Sequence, residues 1–97
     1  MTTTTLALLE DDPDTRTRLA RVISADPSLR LLHAAASGGE LLQWFARHAV
    51  DVLLVDLGLP DIPGIQVIRS CARLQPGCAI MVVTIFGDEK NMLDAFA

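Results

Sequence analysis

Apolar residues along the chain fall into short continuous runs, separated by stretches where they recur every three or four positions. The alternation predicts strands and helices in turn. Residues 5 to 9, TLALL, read as a first buried strand. Asp12 and Pro13 then supply a side-chain acceptor at an N-cap and a proline at N1, and Leu19, Val22 and Ile23 follow at helical spacing. The segment ADPS closes that helix, and LRLLHAAA reads as a second strand. Ser37 and Glu40 stand three apart, as in a capping box, before a helix with Leu41, Leu42 and Phe45 on one face. Residues 51 to 55 form the third strand. Pro63 and Gly64 lead into a helix expected to turn Ile65, Ile68 and either Cys71 or Ala72 inward. A Pro-Gly pair at 76 and 77 breaks the chain before a fourth strand, CAIMVVT, and residues 88 to 96 read as helical through Met92, Leu93 and Phe96.

Strands alternating with helices imply right-handed βαβ units and a parallel sheet, an α/β fold. In open parallel sheets, sites form outside the carboxyl ends of the strands, near the point where strand order reverses. Three such ends carry chemistry. An acidic cluster follows the first strand, Asp56 ends the third, and Thr84 ends the fourth. The stretch VDVLLVDLGLPDIPG shows the oddity most clearly, because four apolar residues run straight into the Asp56 carboxylate. Ionisation there is costly unless something compensates it.

Carboxylates brought together repel one another unless a cation sits among them. Oxygen donors without His or Cys favour Mg²⁺ or Mn²⁺ over zinc. Mg²⁺ is commonly completed by phosphate oxygens, which points to phosphoryl chemistry with a carboxylate as nucleophile. Thr84 could hydrogen-bond a phosphoryl oxygen, with backbone amides near Gly58 and Ile85 as further donors.

Composition narrows the classes. The 97 residues suit one domain, 1–97, and 51% are apolar, so a core is within reach. A net charge of −4 without a basic run argues against nucleic acid or an anionic membrane as partner. Glu10, Asp11, Asp12 and Asp14 concentrate acid within five positions. Cys71 and Cys78 lack metal-site or C-x-x-C spacing and read as reduced, partly buried thiols in a cytoplasmic protein. No signal peptide or transmembrane-length stretch is evident.

Blander readings cover most candidates. Asp12 is a helix cap, Asp51 solvates a strand start, Asp61 sits in a loop, and Lys90 is a solvated charge. His33 and His48 have no partner at ligand spacing, while Trp44 and Phe45 read as core or near-core. Only Glu10, Asp11 and Asp56 together outweigh their structural roles, because one metal accounts for all three.

The sequence resembles the receiver domain of two-component response regulators. The resemblance rests on LALLEDDPDTR, on DVLLVDLGLPDIPG with its D-L-x-L-P turn and Gly64, and on AIMVVT ending in a hydroxyl residue. It covers essentially the whole chain. SADPSLRLLHAAASGGELL is similar to the subgroup whose members carry a C-terminal helix-turn-helix. The resemblance implies a three-layer, doubly wound, flavodoxin-like sheet in the order 2-1-3-4. It implies Asp56 as phosphoacceptor, Glu10 and Asp11 as the metal-binding acids with the Gly58 carbonyl, and Thr84 as the switch hydroxyl. EDD leaves a one-place ambiguity that Asp12 shares. The implied partner is a histidine kinase, and the implied output is transcriptional.

One departure stands out: receiver domains continue into a fifth strand ending in a lysine, then a fifth helix, and this sequence stops at Ala97. The expectation is a receiver without the fifth strand and its catalytic lysine, with no DNA binding of its own. The same side is expected to pair with a second copy through strand four and the helix after it. A docking-only pseudo-receiver is the alternative. An aspartyl-nucleophile phosphohydrolase fits less well, since Leu57 and Gly58, not an acid, follow Asp56.

Overall fold

The computed structural model describes residues 2–56 and 62–83. Its elements are β1 (Thr4–Leu9), α1 (Pro13–Ser24), β2 (Leu29–Ala35), α2 (Gly38–Phe45), β3 (Val52–Asp56), α3 (Gly64–Leu74) and β4 (Ala79–Val83). The four strands form one parallel sheet in the order β2-β1-β3-β4. The chain therefore moves from β1 to β2 on one side, then returns across β1 to β3, so strand order reverses at β1. The helix expected over 88–96 lies outside the described residues.

Continuous burial of Leu6 to Leu9 follows from helices on both faces of β1. Ala7 and Leu9 join Leu41 and Phe45 of α2, Val67 and Cys71 of α3, and Leu53 and Val55 of β3 in one core cluster. Leu6 and Leu8 point the other way, towards the side where α1 packs with Ile23 buried. The result is the expected three-layer arrangement. Burial pushes the Cys71 thiol up to about 11, with the neighbouring Cys78 adding to the shift, so Cys71 is an inert packing group.

Local signals built the helix starts as read. Asp12 caps α1, accepting from the Thr15 N–H at 2.8 Å and the Thr15 hydroxyl at 2.6 Å. Ser37 caps α2, accepting from the Glu40 N–H at 3.2 Å. Gly38 opens α2 where a Cβ would lie 3.1 Å from Val67 Cγ2 and 3.2 Å from Ile62 Cβ, so its lack of a side chain lets α2 approach α3. One inward assignment was wrong: Ile65 is 55% exposed, and on α1 Val22, though at helical spacing with the buried Ile23, is 69% exposed. With α3 beginning at Gly64, its buried face runs through Gly64, Val67 and Cys71, with Ile68 beside it and Ile65 turned out. The β1–β2 register shifts between Leu6 and Ala7, leaving Leu32 opposite no residue of β1 and part-exposed.

The amino edge of the sheet is tied by two polar side chains. Asp51 Oδ2 accepts from the Thr5 N–H at 2.9 Å and the Thr5 hydroxyl at 3.0 Å, while the Asp51 N–H donates to Thr5 Oγ1 at 3.0 Å. Gln75, after α3, donates to the Phe45 and His48 carbonyls and accepts from the Val50 N–H. These bonds hold the β3 start against β1 and the end of α2 against α3.

Candidate functional site

At the carboxyl edge, β1 and β3 lie side by side in register, Leu9 opposite Val55. The next residue on each strand, Glu10 and Asp56, therefore emerges at the same level, and Asp11 follows Glu10 into the turn before α1. Glu10, Asp11 and Asp56 each offer a carboxylate oxygen, and these oxygens all lie within 4.8 Å of one another. Among the described residues this is the group of three acids able to share an ion.

Burial grades the three. Asp11 and Asp56 are half-buried, whereas Glu10 is only 2% exposed. Glu10 Oε2 is sealed from solvent and has no hydrogen-bond partner. Burial pushes the Glu10 carboxyl up to about 8, reinforced by hydrogen bonding to Asp56, the Asp56 charge and hydrogen bonding to Asp11, and partly opposed by the Asp12 N–H. A buried acceptor without a donor is costly, and a cation removes that cost while cancelling the repulsion. All-oxygen donors of this kind fit Mg²⁺ or Mn²⁺.

The three adjacent acids of the turn divide by geometry. Asp12 is committed to α1 through Thr15, which holds its carboxyl below the usual range, so the cluster takes Glu10 and Asp11. Gly58 and Thr84 lie outside the described residues.

Sequence reading missed the side chains that fix the turn. Arg16, one turn into α1, donates from Nη1 to the Glu10 carbonyl at 2.9 Å and reaches the Asp11 carbonyl at 3.4 Å. The Glu10 N–H donates to the Ala35 carbonyl of β2 at 3.1 Å. The bonding targets are main-chain atoms, and no pattern of side-chain types announces them.

A cavity of about 680 Å³ opens elsewhere, lined by His33, Glu40, Trp44, Arg47 and His48 among others. It shares no residue with the acidic cluster. His33 and His48 stack on Trp44, with ring centroids 5.0 Å and 4.7 Å away. The two histidines read as partnerless in sequence are thus ring partners of one indole.

Comparison with known proteins agrees with this geometry. The model of the response regulator receiver domain matches residues 6–97. A protein-glutamate methylesterase/protein-glutamine glutaminase of Pseudomonas fluorescens is 31% identical over 80 residues, covering 82% of this chain and 24% of that protein. The response regulator UvrY of Escherichia coli K12 is 27% identical over 78 residues, 80% of this chain and 36% of UvrY. A crystal structure of a LuxR-family two-component response regulator from Aurantimonas sp. SI85-9A1 superposes with a TM-score of 0.80 at 26% identity, over 98% of this chain and 68% of that one. The chain thus spans between a quarter and roughly a third of the length of these two curated relatives.

Proposed function

The chain belongs to the response regulator receiver domain family, and on that premise we propose that it accepts a phosphoryl group on Asp56 from a histidine kinase. The observation carrying this reading is the convergence of Glu10, Asp11 and Asp56 within 4.8 Å, with a sealed, unsatisfied oxygen on Glu10. Those three side chains, with the Gly58 carbonyl, would hold Mg²⁺ or Mn²⁺. A bound ion supplies positive charge against the carboxylates and the phosphoryl oxygens.

An Asp56 oxygen attacks the phosphorus of a phosphohistidine in line. The new O–P bond forms as the N–P bond breaks, and the imidazole leaves with the electron pair. Asp11, partly open to solvent, shapes the entry side, while Glu10 anchors the buried side. Thr84 donates its hydroxyl to a phosphoryl oxygen and passes the change on to an output domain. We assign that output to transcription, and the domain to 1–97 in the cytoplasm. Catalysis is limited to the chain's own phosphorylation and dephosphorylation. A second copy would pair on the β4 side, where Met81 and Val82 are about half exposed.

Incubation with acetyl phosphate and Mg²⁺, followed by intact mass measurement, tests the reading. One added phosphoryl group, not gained when the metal is chelated beforehand and absent in Asp56→Asn, is the expected result. No mass gain at any Mg²⁺ concentration would favour the docking-only alternative.

A further inference from the structure

We propose that Glu40 and Arg16 are positioning residues for Glu10, gripping its main chain from opposite sides so that its carboxyl stays in the acidic cluster. The inference rests on the reading of Glu10 as a metal-holding residue and deepens it.

Glu40 Oε2 accepts from the Ala36 N–H at 2.8 Å. That N–H belongs to the same peptide unit as the Ala35 carbonyl, which accepts from the Glu10 N–H at 3.1 Å. A carboxylate at the N–H end polarises the peptide and makes its carbonyl a better acceptor. Glu40 therefore acts on Glu10 through one intervening peptide group. Its other oxygen, Oε1, lies 3.8 Å from His33 Nε2, beyond hydrogen-bond reach, so the bond to Ala36 is what fixes the carboxylate. From the far side, the Arg16 guanidinium holds the Glu10 carbonyl at 2.9 Å. A negative group thus sits behind the N–H of Glu10 and a positive group in front of its C=O. Both tighten the same backbone segment, and both leave its side chain to the site.

Glu40 lies in the first turn of α2, so a loss on mutation could reflect a frayed helix. Ser37, which caps the same helix from its own hydroxyl, is the control. The experiment measures Mg²⁺ affinity by calorimetry and the Glu10 amide resonance by ¹H–¹⁵N NMR, with and without Mg²⁺. Because Glu40 is about half exposed, Glu40→Ala and Arg16→Gln should each weaken Mg²⁺ roughly threefold to tenfold, the low end for groups that orient ligands. Both should move the Glu10 amide resonance even without metal. Glu40→Gln keeps a neutral acceptor and should recover part of the loss, while Ser37→Ala should leave both readouts in place. Unchanged affinity and resonance in either variant overturns the role of that residue. An equal loss in Ser37→Ala overturns the role of Glu40. A wild-type chain that binds no Mg²⁺ overturns the reading of the site instead, and the metal-free Glu10 resonance then decides the relay by itself.

Discussion

The two edges of the sheet treat acidic side chains in opposite ways. At the amino edge, Asp51 bridges β3 to β1 with a backbone and a hydroxyl donor on one oxygen, and those bonds hold its carboxyl below the usual range. At the carboxyl edge, Glu10 is sealed, lacks a donor on Oε2, and is pushed up to about 8 beside two other acids. Asp51 is satisfied by the chain itself and stabilises it. Glu10 keeps one buried oxygen that the chain leaves unsatisfied, at the strand-order reversal where parallel sheets place their sites. A carboxylate's function is therefore read from what it lacks more than from where it lies in the sequence.

The largest test exchanges the roles. Asp56→Asn should abolish phosphoryl uptake while leaving the fold intact, because the amide keeps the shape and is a far poorer nucleophile. Asp51→Asn should do the reverse, lowering the unfolding temperature through a weakened Thr5 bridge while uptake continues. Uptake at an undiminished rate in Asp56→Asn, or its loss in Asp51→Asn with the fold retained, would break the contrast. Mass spectrometry and thermal melts read both.

A smaller effect should appear in the pH dependence. The Glu10 carboxyl is raised from 4.5 to about 8 in the folded chain, so folding favours its protonated form. Its contribution to stability is full below about pH 4.5 and is lost as pH rises through about 8. Across that window the chain without divalent cation should lose on the order of a few kcal/mol from this group. Mg²⁺ has to displace the proton, so its affinity should rise with pH over the same range, and binding near pH 7 should release protons. Glu10→Gln should flatten the stability profile and weaken Mg²⁺ binding together. Denaturant titrations at several pH values, with and without Mg²⁺, measure all of this. A wild-type profile as flat as that of Glu10→Gln would remove Glu10 as the strained member of the site.

Much of this was legible because it is local. The Asp12–Pro13 and Ser37–Glu40 starts, the apolar strand runs, and Asp56 at the end of one of them are all set within a few residues. The phase of α3 was not, because Ile65 and Val67 are both apolar and only the approach of α2 at Gly38 selects the face holding Val67. Nor were the groups whose partners lie far away in sequence. Asp51 meets Thr5 46 positions back, and Gln75 reaches Phe45 across 30. The histidines looked isolated for the same reason, since His33 reaches Trp44 only once β2 and α2 pack together. Arg16 acts on carbonyls, which every residue has, so its type alone carries no hint of the turn it holds.

The smallest expected effect is the sharpest check, because it falls within the acidic run itself. Asp12 adjoins Asp11, and by sequence either could belong to the metal site. In the structure Asp12 behaves like Asp51, not like Glu10. Its Oδ2 accepts from both the N–H and the hydroxyl of Thr15, and these bonds hold its carboxyl below the usual range. Asp12→Ala should therefore lower helix and chain stability as the loss of an N-cap does, with the greatest effect above the range where the carboxylate ionises. Its folded-state value is depressed, so the stabilisation it gives is lost as pH falls through that value. Mg²⁺ affinity in Asp12→Ala should match wild type, whereas Asp11→Ala should weaken it measurably. Calorimetric titration of the two variants side by side distinguishes a cap from a ligand. A loss of affinity in Asp12→Ala as large as in Asp11→Ala would place Asp12 in the site, and the division between satisfied and unsatisfied acids would no longer sort this turn.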